Sequence, residues 1–523
     1  MTRAAAEDAH TASQAAALDG VRRAGRGILS MSGSKLYFVL AGYAVQLFMP
    51  RLLGSPEAFG IFSTAMSMVS ILNNVLISAT IQVVSKRVSE DTSRAPQTLR
   101  QALVLQLVVG LSVAGLLAAG AEPLAARVML DPVLAPLFRL CAVVVVSYAL
   151  YAALIGALNG GQNFLAQAKF DITYTTLRSS GMLGAAWLGL GAAGAFGGFA
   201  LAAVLVLAAA LSVVGVGKAG GATGWRAWLS LMAPLWLYQL CLNIVLQIDT
   251  SLLKRSVAEL ALQSGSAAAD AADLASRYVG FYRAAQTFAF VPYQLILSVA
   301  FVIFPMVSEA TSLGREEEAR RYIQGALRFS LLVLLAIAAP IAGASDSVLR
   351  LVYPSAYLAG APALAVLSFG MVCFALFVIA ATIVSGAGRP GLAALVASAS
   401  VAIVIAGNLL LVRWVGLGER TLIAAASGTS LGTAFALLAM GAAVYARFRA
   451  FIPWPTVLRT LLAAALGCGA ARLVPAHSKL LSLCALIAGG IGYVLALLAT
   501  RELGKPDLEA VQRVLRRRSA PRP

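Results

Sequence analysis

The chain has 523 residues, of which 60% are hydrophobic and only 12% are charged, and its mean hydropathy is +0.85. Soluble domains carry about a quarter charged residues, so the composition excludes an ordinary soluble protein and indicates a polytopic membrane protein. Only two His are present, which excludes a paired-His metal site and argues against His-based catalysis. The five Cys lie in or beside apolar runs and are typical of small core residues rather than disulfides. The net charge of +18 does not indicate nucleic-acid binding, because the position of the basic residues along the chain explains it better.

The apolar runs predict an all-α fold with about fourteen transmembrane helices. Residues 1–35 form a polar, Ala-rich N-terminal tail without the basic start and early apolar core of a signal peptide, so we expect it to remain in the cytoplasm. The approximate spans are 36–53, 58–80, 101–120, 135–158, 171–190, 194–217, 229–250, 278–304, 323–344, 359–385, 391–414, 421–444, 457–474 and 480–500.

The charges between these spans predict the orientation. An even number of helices puts both termini on one side, and most of the 40 Lys and Arg residues then fall on that side. The positive-inside rule therefore favours cytoplasmic termini. The tail at 501–523 is expected to be a basic amphipathic segment on anionic lipid, or else an unstructured solvated tail.

No loop is large enough for a soluble catalytic domain. The longest predicted outer loop, at 255–277, is Ala-rich with scattered acidic residues, a composition that suits a short surface helix. The segment GVGKAG at 215–220 lacks the spacing of a phosphate-binding loop. The sequence therefore predicts a protein that is not an enzyme and that needs no cofactor.

An internal repeat organises the chain. A shift of 220 residues lays EAFGIFSTAMS at 57–67 over RYVGFYRAAQT at 277–287, so that Gly60 meets Gly280. Equivalent helices differ by six, an even number, so the repeat is parallel. We expect a six-helix N-lobe at 36–217, a cytoplasmic linker at 218–228, a six-helix C-lobe at 229–444 and two further helices at 457–500.

Polar side chains recur at helical spacing along helices one, two, seven and eight. Such seams either join packed helices or line a hydrophilic cleft, and four seams on repeat-equivalent helices favour the cleft. The predicted cavity residues are Tyr43, Gln46, Ser67, Asn74, Ser78, Gln239, Asn243, Gln247, Arg283, Gln286, Thr287 and Gln294.

Ionisable residues and one proline suggest further roles. Asp249, just beyond the helix-seven seam, and Asp171, at the start of helix five, are candidate sites for a coupling H⁺ or Na⁺. Asp249 could instead be an interfacial carboxylate neutralised by Lys254 or Arg255. Pro292 removes a backbone hydrogen bond in the middle of helix eight and is a candidate hinge.

Arg283 is the sharpest candidate, and two interpretations of it stay open. Its long stem could carry the charge to the outer interface, or the guanidinium could offer a cation to a phosphate group inside the cleft. Arg51 and Arg178 are the next cations to consider if Arg283 does not serve.

The chain resembles the Wzx-type flippases of the polysaccharide transporter group, within the superfamily that includes multidrug extruders and lipid II flippases. The residues that carry the resemblance span roughly 30–450. They are PRLLGSPEAFGIF at 50–62, QIDTSL at 247–252, VGFYRAAQTF at 279–288, FPMVSEAT at 304–311, LVYPSAYLAGAPAL at 351–364, and SGAGRP at 385–390 followed by Asn408. The loop at 255–277 looks longer than the family usually has.

The resemblance implies a transporter of the bacterial cytoplasmic membrane, with a MATE-like fold of fourteen helices in two lobes. It would move an undecaprenyl-diphosphate-linked oligosaccharide of O-antigen, capsule or exopolysaccharide by alternating access, beside polymerase or export machinery. A lipid II flippase and a multidrug or cation antiporter share the fold and stay open as alternatives. A membrane glycosyltransferase or polymerase fits less well, because the outer loops offer no acid, His or Arg cluster.

Overall fold

A computed structural model describes residues 30–31, 33–220, 224–475 and 477–503, without the side chains of 297–302, 304 and 305. The expectations for the N-terminal tail and for most of the basic C-terminal tail lie outside these residues. Within the described residues the chain is helical and contains no strand. The all-α prediction is therefore confirmed.

In the described part of the chain, fourteen helical spans follow one another, joined by short turns or short helical segments. They are α1 (33–52), α2 (Pro56–Glu90), α3 (Ala95–Ala119), α4 (Leu134–Gly160), α5 (Phe164–Trp187), α6 (Gly191–Val214), α7 (Trp225–Gln263), α8a (Ala268–Ala289) with α8b (Val291–Ser312), α9 (Glu316–Gly343), α10 (Ala361–Gly386), α11 (Pro390–Val415), α12 (Thr421–Phe448), α13 (Trp454–Arg472) and α14 (Lys479–Ala499).

Eleven of the described helices are long and apolar enough to cross a membrane. The three predicted spans outside this set are α1, α5 and α8. Of these, α5 carries Lys169, Asp171 and Arg178, and α8 is divided into two helices. These are the spans in which charges or a break reduce the apolar length.

The prediction of a long outer loop at 255–277 is wrong. The helix α7 continues to Gln263 and α8a begins at Ala268, so that only residues 264–267 form the turn. The segment is rich in Ala and Leu, which are strong helix formers, and Val257, Ala261 and Ala275 are buried against neighbouring helices. Its acidic residues Asp270 and Asp273 are exposed on α8a, whereas Ser256 and Ser276 are buried.

The single helix expected over 278–304 is also wrong. The helix α8a ends at Ala289, Phe290 forms a turn, and α8b begins at Val291. Pro292 is buried near the start of α8b. Because proline lacks an amide hydrogen and its ring crowds the carbonyl four residues earlier, the interruption falls where the sequence places Pro292. Its role as a hinge stays a prediction.

The chain packs as two compact units, which do not coincide with the two predicted lobes. Of the described residues, the first contains those up to 53 and those within 68–240, and the second contains 54–67 and those from 241 onwards. Helices α2 and α7 therefore each contribute to both. In the first unit the most buried span is α4, and in the second it is α10. These two helices are repeat equivalents. The boundaries of the lobes remain a prediction.

Candidate substrate and ion sites

A fully buried carboxylate, Asp249, is the centre of a polar cluster in the second unit. Its Oδ2 atom accepts hydrogen bonds from the Tyr282 hydroxyl at 2.8 Å, the Gln286 amide at 2.9 Å and the Thr429 hydroxyl at 3.0 Å. Its Oδ1 atom accepts from the backbone N–H of Thr250 at 2.8 Å. Helices α7, α8a and α12 thus meet at one ionisable group. Charged groups in apolar surroundings require such partners.

Asp249 does not lie at an interface, as the sequence suggested it could. The helix α7 runs on to Gln263, well beyond Asp249. Lys254, which was expected to neutralise an interfacial carboxylate, is itself fully buried, and its Nζ atom donates to Ser276 Oγ at 2.5 Å. Arg255 bonds to Glu259 at 2.7 Å. The carboxylate belongs to the interior of the unit.

Arg283 joins the same cluster through a bridging amide. It is 7% exposed, and its Nη1 atom donates to the side-chain oxygens of Gln286 at 3.0 Å and Gln247 at 3.1 Å. Gln286 in turn donates to Asp249. A buried Arg that is bonded in this way does not carry its charge to the outer interface. The structure therefore contradicts the alternative in which Arg283 reaches that surface.

The predicted cavity residues divide between the two units. Asn243, Gln247, Arg283, Gln286 and Thr287 are buried in the second unit on α7 and α8a. Ser67 belongs to that unit too, and Tyr43, Gln46, Asn74, Ser78 and Gln239 belong to the first. Gln294 is exposed on α8b, beyond the break, so it does not continue the face of Arg283 as expected from an unbroken helix.

Three residues of the cluster were missed as site residues by sequence reasoning. Tyr282 and Thr250 are direct neighbours of predicted residues and could have been found by treating aromatic hydroxyls and threonines as part of the seam. Thr429 comes from α12, a helix without any predicted site residue. Asn408 of α11 donates to the Thr429 hydroxyl at 3.2 Å. The contribution of α12 depends on tertiary packing that residue spacing within one helix does not reveal.

Asp171, the second coupling candidate, is in the first unit. Its Oδ2 atom pairs with Lys35 Nζ at 3.0 Å and joins α5 to α1. The carboxylate is 13% exposed and Lys35 is 58% exposed. This is a partly solvated ion pair between helices, unlike the enclosed cluster around Asp249.

Repeat-equivalent residues meet where α2 crosses α8a within the second unit. A Cβ atom built on Gly60 would lie 2.6 Å from the carbonyl carbon of Ser276 and closer still to its oxygen. A Cβ atom on Gly280 would lie 2.9 Å from the carbonyl carbon of Pro56. Glu57 forms an ion pair with Arg277 at the same crossing. Only glycine permits this approach of the two backbones.

The cluster combines two buried charged groups with neutral hydrogen-bonding side chains. The cluster offers a buried cation, a buried carboxylate, amides and hydroxyls in one hydrogen-bonded network. No group of three or more His, Cys, Asp or Glu that could hold a metal occurs among the described residues. Such a network can bind polar or anionic ligands and can take up an ion.

Comparison with solved structures identifies the fold. The structure described as the lipid II flippase MurJ in an inward closed conformation is 14% identical, with a TM-score of 0.72 over 90% of this chain and 99% of that chain. An inward-facing multidrug resistance MATE family transporter of the MOP superfamily is 17% identical, with a TM-score of 0.59 over 79% and 95%. A MOP superfamily transporter from Pyrococcus furiosus is 15% identical, with a TM-score of 0.57 over 82% and 95%. The predicted MATE-like fold is confirmed.

A search of curated proteins gives no match. The family described as polysaccharide biosynthesis protein matches residues 24–311, which is more than half of the chain. This match includes α1 to α7, all of α8a and nearly all of α8b, and with them Asp249 and Arg283. The chain is a multi-pass membrane protein and belongs to the polysaccharide biosynthesis protein family.

Proposed function

We propose that this protein is a flippase that moves an undecaprenyl-diphosphate-linked oligosaccharide across the bacterial cytoplasmic membrane by alternating access. The single observation that carries the proposal is the buried cluster that joins Arg283 to Asp249 in a member of the polysaccharide biosynthesis family. The repeat unit would be that of an O-antigen, a capsule or an exopolysaccharide. The protein would be a transporter and not an enzyme.

The chemistry of the substrate matches that of the cluster. A lipid-linked sugar carries a diphosphate, which favours a guanidinium, and many hydroxyls, which favour amides and hydroxyls as partners. Arg283, Gln247 and Gln286 supply these groups within one network. The polyprenyl tail can stay in the lipid while the head group crosses.

Asp249 is the proposed coupling group. A buried carboxylate can bind H⁺ or Na⁺ in one state and release it in another. Because Gln286 bonds to both Asp249 and Arg283, a change in the charge of Asp249 would alter the surroundings of Arg283. Ion binding and substrate binding would then influence one another through this amide. Asp171, already paired with Lys35, is the weaker candidate.

The topology and the partners belong to the same proposal. Both termini would be cytoplasmic, as the distribution of Lys and Arg predicts. The product would be released at the outer face to polymerase or export machinery. The coupling ion would be the protein's only cofactor.

Lipid II transport is the second candidate function, because the MurJ structure is similar over 90% of this chain. Lipid II shares the polyprenyl diphosphate, so Arg283 would serve in either case. The glycan that accumulates after depletion separates the two candidates. An antiporter of organic cations is less favoured, since the cluster places a buried arginine beside its carboxylate.

Depletion in the native bacterium tests the proposal. The repeat-unit oligosaccharide should accumulate on its lipid carrier at the cytoplasmic leaflet, whereas lipid II should not. Complementation with Arg283→Ala or Arg283→Glu should fail although the protein still inserts. Arg283→Lys should restore part of the transport, because an ammonium still binds phosphate as a point charge.

A matched control is Arg413→Ala. Arg413 is an exposed residue of α11 that pairs with Glu259 at 2.9 Å, and its removal should leave transport intact. Normal transport by Arg283→Glu would show that the diphosphate does not pass this residue. If only lipid II accumulated after depletion, the substrate would be lipid II and not the repeat-unit oligosaccharide.

A further inference from the structure

The first unit contains an arginine inside the predicted span α5, Arg178. It follows the first residue of α5, Phe164, by about four turns, which places its Cα atom roughly 20 Å along the helix. The residue is half-buried. Arginine at such a depth is costly unless it faces protein or a water-filled space, so its surroundings call for an explanation.

Three aromatic rings surround the Arg178 guanidinium. Its central carbon lies 5.4 Å from the ring centre of Phe199, 5.6 Å from that of Phe38 and 5.9 Å from that of Tyr174. These distances are within the range of a cation–π interaction. The rings come from α6, α1 and α5, so three helices fix the position of one cation.

The hydrogen-bonding capacity of this cluster is incompletely used. Arg178 Nη1 donates to the Tyr174 hydroxyl at 3.2 Å, whereas Arg178 Nε is buried and has no hydrogen-bond partner among the described residues. The hydroxyls of Tyr148 and Tyr151 on α4 also have no hydrogen-bond partner among the described residues. These two residues are only 3% and 6% exposed. Leaving a buried polar group unpaired costs about 1–3 kcal/mol.

The three tyrosines are packed together beside the guanidinium. Tyr148 and Tyr174 have ring centres 5.0 Å apart, and those of Tyr151 and Tyr174 are 6.1 Å apart. Tyr148 also lies 6.0 Å from Phe199, one of the rings around Arg178. The unpaired hydroxyls therefore belong to the same aromatic cluster as the arginine.

Nearby contacts hold α1 against α5 but leave Arg178 without a carboxylate. Asp171, two turns earlier on α5, pairs with Lys35, and Thr176 bonds to the Tyr37 hydroxyl at 2.9 Å. No ion pair of Arg178 with a described residue is formed. A purely structural arginine in a span would be expected to pair with the nearest acid, and here that acid is bonded elsewhere.

We propose that Arg178 and its aromatic cluster form a second phosphate-binding subsite, which receives the polyprenyl diphosphate in the first unit. The inference rests on the proposed function and adds a binding site to it. The rings stabilise the cation, and the guanidinium donors that are not bonded to Tyr174 are left for phosphate oxygens. Tyr148 and Tyr151 supply further hydroxyls when the ligand approaches from the exposed side of Arg178.

The subsite lies near the middle of α5, and its arginine extends towards the start of that helix. Arg178 points its side chain back towards the start of α5, as helical side chains do. With both termini cytoplasmic, that end of α5 is the cytoplasmic one. The guanidinium is therefore directed towards the leaflet from which the head group starts.

Binding of undecaprenyl diphosphate to the purified full-length protein in lipid nanodiscs tests the proposal, with undecaprenol as the probe that lacks phosphate. Arg178→Gln should weaken binding of the diphosphate about tenfold or more, which is the value of one charge-assisted hydrogen bond. It should leave undecaprenol binding unchanged. Arg178→Lys keeps the charge but not the planar fork and should show an intermediate loss. Lys169→Gln removes a charge from the same helix at an exposed position and should change neither.

Tyr148→Phe provides a second measurement that does not depend on the charge. It removes an unpaired hydroxyl, so the melting temperature should hold or rise while diphosphate binding weakens several-fold. The proposed subsite would be overturned if folded Arg178→Gln or Arg178→Lys bound undecaprenyl diphosphate with wild-type affinity. It would also be overturned if these variants lost affinity for the diphosphate and for undecaprenol equally. Failure of the wild-type protein to bind the diphosphate at all would overturn the proposed function as well.

Discussion

The crossing of α2 and α8a allows a quantitative prediction. An alanine at Gly60 would place its Cβ atom 2.6 Å from the Ser276 carbonyl carbon, whereas carbon atoms pack at about 3.5–4.0 Å. The two backbones must therefore move apart by about 1 Å. Overpacking of this kind costs about 1–3 kcal/mol. If the protein alternates between this state and one in which the crossing is open, the equilibrium should shift about 5- to 150-fold.

A cysteine pair at the same crossing measures this shift. Glu57→Cys with Arg277→Cys, in a background without other cysteines, replaces an existing ion pair and should form a crosslink readily. Adding Gly60→Ala or Gly280→Ala should reduce the crosslinking yield and slow transport at least about fivefold, the lower end of the range.

The control for this experiment is Gly115→Ala on α3. A Cβ atom there meets nothing within 4 Å, so the change should be neutral or mildly stabilising. Unchanged crosslinking and transport in both Gly60→Ala and Gly280→Ala would refute the reasoning. The two backbones would then have room that the structure does not show.

The remaining predictions concern coupling, the hinge, acid stability and topology. Asp249→Asn should remove the ion dependence of transport, and full transport with unchanged ion dependence would end the coupling hypothesis. Pro292→Ala should slow transport more than it lowers expression, whereas proportional losses would make the residue structural. Burial opposes ionisation of Glu502, but hydrogen bonds from neighbouring arginines and a threonine outweigh it and hold its pKa below the ordinary value of 4.5. Its contribution to stability should therefore be complete above that pH and be lost as the pH falls through the lowered pKa, so that the melting temperature should fall more steeply there for the wild type than for Glu502→Gln. Membrane-impermeant labelling from outside should reach Ser264→Cys and miss Ser93→Cys, and the opposite pattern would invert the topology.

Much of the fold could be predicted from the sequence because lipid imposes a length on every apolar run. The predicted repeat at a shift of 220 residues pairs Gly60 with Gly280, and in the structure Gly60 lies against residues of α8a next to Gly280. The ends of the long helices were harder to predict. At 255–277 the chain leaves the apolar register but keeps its helical propensity, so hydropathy alone ended α7 and started α8a in the wrong places.

The candidate site could be predicted in part. Spacing along α7 and α8a identified Asn243, Gln247, Arg283 and Gln286, all of which are buried in one unit. It could not show that Gln286 bridges Arg283 to Asp249, because a hydrogen bond between helices depends on their rotation and depth.

Other elements of the structure left no periodic signal in the sequence. The Arg178 cluster draws aromatic rings from four helices, α1, α4, α5 and α6. The contacts of Glu502 with Arg328 of α9 and Arg459 of α13 join positions far apart in the chain. Long-range pairs of this kind require the packed structure.

Transbilayer movement in reconstituted vesicles tests the central claim most directly. Purified protein would be incorporated with a fluorescent undecaprenyl-diphosphate-linked oligosaccharide, and a membrane-impermeant glycosidase would report how much of the glycan reaches the outer leaflet. The account predicts that the wild-type protein moves the glycan faster than empty vesicles do, that Arg283→Ala abolishes this movement, and that Arg413→Ala does not. Movement no faster than in empty vesicles under an imposed H⁺ or Na⁺ gradient, or equal movement with Arg283→Ala, would contradict it.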